Sequence, residues 1–142
     1  MINSELSDVR DFHQRFGLLA PKGLKPKHLT RRKLNEQAQT FLKDINSFED
    51  GAQDQNMCLM AKSLVDLVYS VKSTAVMMNL PWEALWKEVH RSNMDKTLGL
   101  VQCGEEFNIV EPQDWCAPCV AKILAAHAYD ASEWHSVNVD VR

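Results

Sequence analysis

Apolar residues recur along this chain at intervals of three and four, and runs that alternate apolar with polar are almost absent. Such spacing gathers side chains on one face of a helix, so the pattern predicts helices rather than strands. Leu6, Val9, Phe12, His13 and Phe16 form the first face, and Gly17 is placed to stop it. After the proline-containing loop LLAPKGLKPKH (18–28), Thr30 is a suitable N-cap for a second helix with the face Leu34, Ala38, Phe41, Leu42, Ile45 and Phe48. The polar run EDGAQDQ (49–55) reads as a turn. A third helix, over roughly 54–78, is apolar round much of its circumference and is expected to be the central, buried element. Leu80-Pro81 ends it, and Pro81 suits the first turn of a fourth helix, PWEALWKEVHRSNM (81–94). Residues 97–118 look irregular apart from a short strand pair near LGLVQ and FNIV, and a last helix is expected over about 118–130. The predicted fold is all-α: a single domain over 1–142, built as a bundle of about four main helices with a C-terminal loop and helix.

Composition narrows the function classes. The chain has 142 residues, 45% of them apolar and 25% charged, enough for a real core without disulfide staples. A net charge of −3 argues against a general nucleic-acid binder. No apolar run is long enough to span a membrane, and the charged N-terminus, MINSELSDVRDFHQRF, does not read as a signal peptide. Four cysteines (58, 103, 116 and 119) are too few and too unevenly placed for a disulfide framework, so a cytoplasmic setting is expected.

One short motif points elsewhere. WCAPC (115–119) has the form of a redox-active dithiol turn, whose reactive cysteine sits at a helix N-terminus after a strand. Cys119 falls in the first turn of the last predicted helix, but no βαβ unit precedes it. A zinc site would need two further ligands, and Cys103 and His127 do not form a second tight pair. The reading from the residues is a loop entering a helix.

Four stretches carry a broader likeness: VRDFHQRFGL (9–18), SLVDLVYSVKSTAVMMNLPWEALWKEVHRSNMDK (63–96), NIVEPQDW (108–115) and PCVAKIL (118–124). Together they resemble the all-α nucleotide pyrophosphohydrolase superfamily, and within it the MazG-like and phosphoribosyl-ATP-pyrophosphohydrolase-like proteins often encoded by phages. The resemblance spans about 8–124 and implies a MazG-like bundle. It also implies metal-assisted hydrolysis of a nucleoside triphosphate between its α and β phosphates. Hard Mg²⁺ ions need several carboxylate oxygens for that chemistry. The family supplies them as Glu-Glu-x-x-Glu on one helix and an acidic pair four apart on the next. In the family's C-terminal loop, Pro118 matches a proline and Cys119 stands where aspartate is usual.

Carried over residue by residue, the family's acids are mostly missing. Anchored on Arg31 and Leu34, the glutamate positions fall on Gln37, Ala38 and Phe41, and the acidic pair falls on Lys62 and Asp66. Only Asp66 is retained. A one-residue slip recruits Glu36 but makes the others Gln37 and Thr40. The plain alternative is that Phe41 extends the core stripe while Lys62 and Asp66 form a modest i,i+4 pair, in the less favourable order for the helix dipole. The basic run KGLKPKHLTRRK (22–33) has six Lys/Arg and no acid, which is either a solvated face or an attractor for anions. Asn93 and Lys96, in SNMDK, match a family motif near the nucleotide. Trp82, Trp86 and Trp134 read as core or oligomer contacts.

The leading expectation is a degenerate member that binds, and in a phage setting sequesters, a nucleotide or nucleotide-derived phosphorylated molecule without metal. Arg31, Gln37, Phe41, Lys62, Asp66, Asn93 and Lys96 would line that site. The alternative is a Mg²⁺-dependent pyrophosphohydrolase using Asp66 and Glu36, with carboxylates from another subunit. A third is an interaction domain with its pocket closed by Phe41. The resemblance also implies a homo-oligomer, dimer or tetramer, in the host cytoplasm if phage-encoded; the charge and the apolar pattern argue against a nucleic-acid or membrane partner.

Overall fold

The computed structural model of the chain describes residues 4–18, 25–99 and 108–132. It is mostly helical: α1 (Ser4–Arg15), α2 (Arg31–Gln53), α3 (Met57–Met77), α4 (Trp82–Met94) and α5 (Val120–Ala126), with a two-stranded ribbon, β1 (Thr97–Leu98) and β2 (Ile109–Val110), between the last two helices. The ribbon is antiparallel, with Thr97 opposite Val110 and Leu98 opposite Ile109. The rest of the expected strand pair (100–102 and 107), Lys22, Cys103 and Trp134 lie outside the described residues. Among the described residues, no helix is long and apolar enough to cross a membrane.

Local chemistry sets most of the boundaries. Thr30 caps α2, its side chain accepting from Lys33 N at 3.2 Å, and Asn56 caps α3 by accepting from Leu59 N at 3.1 Å. Gly17, at φ +63°, ends α1, and Leu18 N reaches back to His13 O at 2.9 Å. Asn79 does the same for α3 at φ +51°, with Leu80 N donating to Ala75 O at 3.0 Å. Two boundaries differ from the sequence reading. Helix α2 runs on through Gly51 to Gln53, so the turn shrinks to Asp54–Asn56; Gly51 is buried where α2 meets Met60 of α3. Helix α5 starts at Val120 and stops at Ala126, shorter than expected at both ends, because Ala128 takes φ +63° and Tyr129 N closes on Leu124 O at 3.1 Å.

Helices α2 and α3 form an antiparallel hairpin, fixed by the cross-helix pairs Gln37–Thr74, Asp44–Ser70 and Gly51–Met60. Helix α1 crosses the C-terminal half of α3, where Leu6, Val9 and Val76 form the core and Trp82 packs against it. His13 is buried beside Ser73, with Nε2 and Oγ 2.5 Å apart. The Lys72 ammonium, also buried, is paired with Glu5.

Helix α3 is not enclosed as its composition suggests. Its N-terminal half leaves Leu64, Val65 and Val68 about half exposed or more, and α1 adds exposed Phe12 and Phe16 beside Tyr69. The described residues supply too few neighbours to cover a helix apolar round much of its circumference, so this face stays open.

Candidate functional site

The α2 side of the hairpin presents Gln37, Phe41, Asp44 and Phe48 toward α3, a row at helical spacing of three and four. From α3 come Lys62, Asp66, Ser70 and Thr74, each one turn after the last. The row is cross-linked. Thr74 Oγ1 donates to Gln37 Oε1 at 2.8 Å, and Ser70 Oγ donates to Asp44 Oδ2 at 3.1 Å. Lys62 Nζ donates to Asp66 Oδ2 at 2.5 Å. The Asp66 contact, first as a hydrogen bond and then as a charge, raises the Lys62 pKa, with Asp44 adding to it. The ammonium therefore keeps its proton at every physiological pH.

Asp44 is the group that the sequence reading passed over. It lies seven residues after Gln37 and three after Phe41, on the same face, so helical spacing alone could have found it.

Glu36 is not part of this row. One residue before Gln37, it is turned by about 100° away from it, and it bonds back to Arg32 at 3.2 Å and Lys33 at 3.6 Å. Arg31 edges a shallow hollow with Arg32, Asn35, Glu36 and Gln39 at the start of α2. Thirteen residues separate Arg31 from Asp44, about 20 Å of helix. Asn93 is exposed at the end of α4, while the Lys96 ammonium lies over the Trp115 ring, 5.3 Å from its centroid. Among the described residues, no hydrogen bond or ion pair joins Asn93 or Lys96 to the hairpin row.

The end of α4 instead organises the C-terminal loop. Trp115 Nε1 donates to Ser92 O at 2.7 Å. Cys119 N donates to Glu88 Oε1 at 3.0 Å, and Arg91 bridges Glu88 and Asp95. Arg91, with the Cys119 amide, holds the Glu88 carboxyl down at about 2. Cys116 and Cys119 are exposed free thiols at this junction. Among the described residues, no sheet precedes them beyond the two-residue strands of the ribbon.

The hairpin donors do not make a magnesium site within the described residues. One carboxylate, Asp66, is already held by an ammonium, and the other, Asp44, accepts a hydroxyl proton from Ser70. Among the described residues no three His, Cys, Asp or Glu side chains stand together as a ligand set. Hard divalent ions need more oxygen ligands than this pair offers.

An antiparallel helical hairpin with polar groups along its seam, crossed by a third helix and followed by a fourth, is the all-α pyrophosphohydrolase-like class of fold. The phosphoribosyl-ATP pyrophosphohydrolase family model matches residues 9–93, well over half of the chain, and the chain belongs to that family, within the MazG-like all-α pyrophosphohydrolase superfamily. The match runs from α1 to the end of α4, leaving the ribbon, the Trp115 loop and α5 outside it. No curated protein matches the chain.

Proposed function

We propose that this chain binds a phosphorylated, nucleotide-derived small molecule on the α2/α3 hairpin without metal and does not hydrolyse it. The observation that carries this reading is the Lys62–Asp66 contact at 2.5 Å. A divalent ion approaching the one acid that the family pattern retains would meet the positive charge of a protonated ammonium already bound there. The same ammonium has three donors, spends one on Asp66, and is 73% exposed. The two remaining ammonium donors suit phosphate oxygens better than they suit a cation, while Ser70 and Thr74 already spend their hydroxyl protons on Asp44 and Gln37. Phe41, half-buried in the same row, offers an apolar wall. The open apolar face of α1 and α3 supports assembly of the chain with copies of itself, and sequestration of the ligand is the role such a site would serve.

The test uses purified protein and a panel of nucleoside mono-, di- and triphosphates in two assays. In EDTA, at least one ligand is expected to raise Tm, and Lys62→Glu is expected to abolish that shift. With Mg²⁺ present, no monophosphate or pyrophosphate is expected to accumulate. Turnover that disappears in Asp66→Ala would overturn the proposal, as would the absence of any ligand-dependent shift.

A further inference from the structure

A cavity of about 500 Å³ opens where α1 passes the turn between α3 and α4. That volume lies in the range of small-molecule sites. Helix α1 lines it with Leu6, Ser7 and Arg10, α4 with Trp82 and Glu83, and the end of α5 with His127. Its lining shares no residue with the hairpin row, and Lys62 precedes the end of α3 by fifteen residues, about 22 Å of helix.

Three kinds of chemistry meet there. The Trp82 indole is half-buried and held against Leu6, Val9 and Val76, so it is a flat wall fixed by the core. The Arg10 guanidinium is exposed and has no ion pair or hydrogen bond among the described residues, leaving its fork of donors available. His127 Nδ1 lies 2.8 Å from Ile123 O. A carbonyl only accepts, so Nδ1 carries the proton and Nε2 of the neutral ring is left as an acceptor. Glu83, in the first turn of α4, is a second acceptor. A lone surface arginine is normally just solvated, and a lone half-buried indole is normally just core. Here both border one cavity of ligand size, and each offers what a charged aromatic molecule needs.

We infer that this cavity binds a flat heteroaromatic ring bearing an anionic group, of the class of a purine nucleoside monophosphate. The phosphate is paired with Arg10 and kept to that side by repulsion from Glu83. The ring lies on the Trp82 indole. Ribose hydroxyls or an exocyclic amine donate to His127 Nε2 and Glu83. The site does not depend on the hairpin reading, and the two fail independently.

The experiment is isothermal titration of the full chain, in EDTA, with AMP, adenosine and inorganic phosphate. AMP is expected to bind, and Arg10→Ala to weaken it by about tenfold or more, the usual effect of losing a charge-assisted contact. Adenosine should bind the unaltered protein as weakly as AMP binds Arg10→Ala. Phosphate alone should bind more weakly than AMP, because it forgoes the indole. Arg10 is on the surface, so circular dichroism of the variant should match the parent. Lys62→Glu should leave AMP affinity unchanged. No AMP binding, equal AMP affinity in Arg10→Ala, or loss of affinity in Lys62→Glu but not in Arg10→Ala would each overturn the assignment.

Discussion

Replacing Gly51 by alanine tests the seam of the hairpin directly. In an exposed helix that substitution stabilises by about 1 kcal/mol, because glycine has the greater backbone entropy to lose. Gly51 sits instead where α2 and α3 come closest. A Cβ there would lie 2.9 Å from Met60 Cγ, 3.0 Å from Met60 N and 3.3 Å from Asn56 O. The methionine side chain can swing aside, but the backbone nitrogen cannot move without shifting the first turn of α3. Overpacking of this kind costs about 1–3 kcal/mol. Set against the propensity gain, the net loss is about 1 kcal/mol, or about 4 °C in Tm for a chain of this size. Thermal unfolding followed by circular dichroism at 222 nm measures it. Lys62 follows Met60 by half a turn, so the same shift should also weaken any ligand shift that depends on Lys62. A rise in Tm for Gly51→Ala would refute the close approach and reduce Gly51 to a helical spacer.

Two further predictions concern titrating groups. Burial, aided by the charge of Lys33, holds the His13 pKa below the ordinary 6.5. The unfolded chain therefore takes up this proton first, so stability present above about pH 6.5 is lost as pH falls through the folded value. Tm should drop between pH 7.5 and 5, and the drop should be smaller in His13→Gln; parallel curves would count against it. Glu88, held at about 2 chiefly by Arg91 and then by the Cys119 amide, stays ionised throughout mild acid, and its contribution is lost only as pH falls from the usual carboxylate range toward that value. At neutral pH, Glu88→Gln should speed amide hydrogen exchange across α5 while leaving α3 unchanged, and equal protection in both proteins would remove Glu88 as the tether.

How far the sequence could be read depends on where each feature gets its cause. Thr30, Asn56 and Gly17 act within a turn of their own helix, and local chemistry of that range is visible in any short window. Gly51 is the opposite case. In EDGAQDQ it looks like turn chemistry, but its role comes from Met60, nine residues on and across the seam. Ala128 ends α5 in a left-handed conformation that no composition rule assigns to alanine. The Lys62–Asp66 pair was legible because four residues on a helix are neighbours. Asp44 was legible by the same spacing, yet the family's acid positions drew attention to Gln37, Ala38 and Phe41 and away from it.

The expectation that α3 is a buried centre rests on its apolar circumference, which the sequence alone displays. What a single sequence cannot say is how many chains share the work of covering it. Helix α2 covers one side of α3, and α1 covers the far half of another, leaving Leu64, Val65 and Val68 open beside the crossing of α1. A helix apolar round most of its circumference is stable only when those sides are packed. The exposed stripe begins two residues after Lys62, on the same helix. Leu64 and Val68 stand about 120° or more round the helix from Lys62, so whatever covers that stripe lies on a different side of α3 from the Lys62–Asp66 pair. The open face and the hairpin seam are thus separate sides of α3, and covering the first does not by itself change the chemistry proposed for the second.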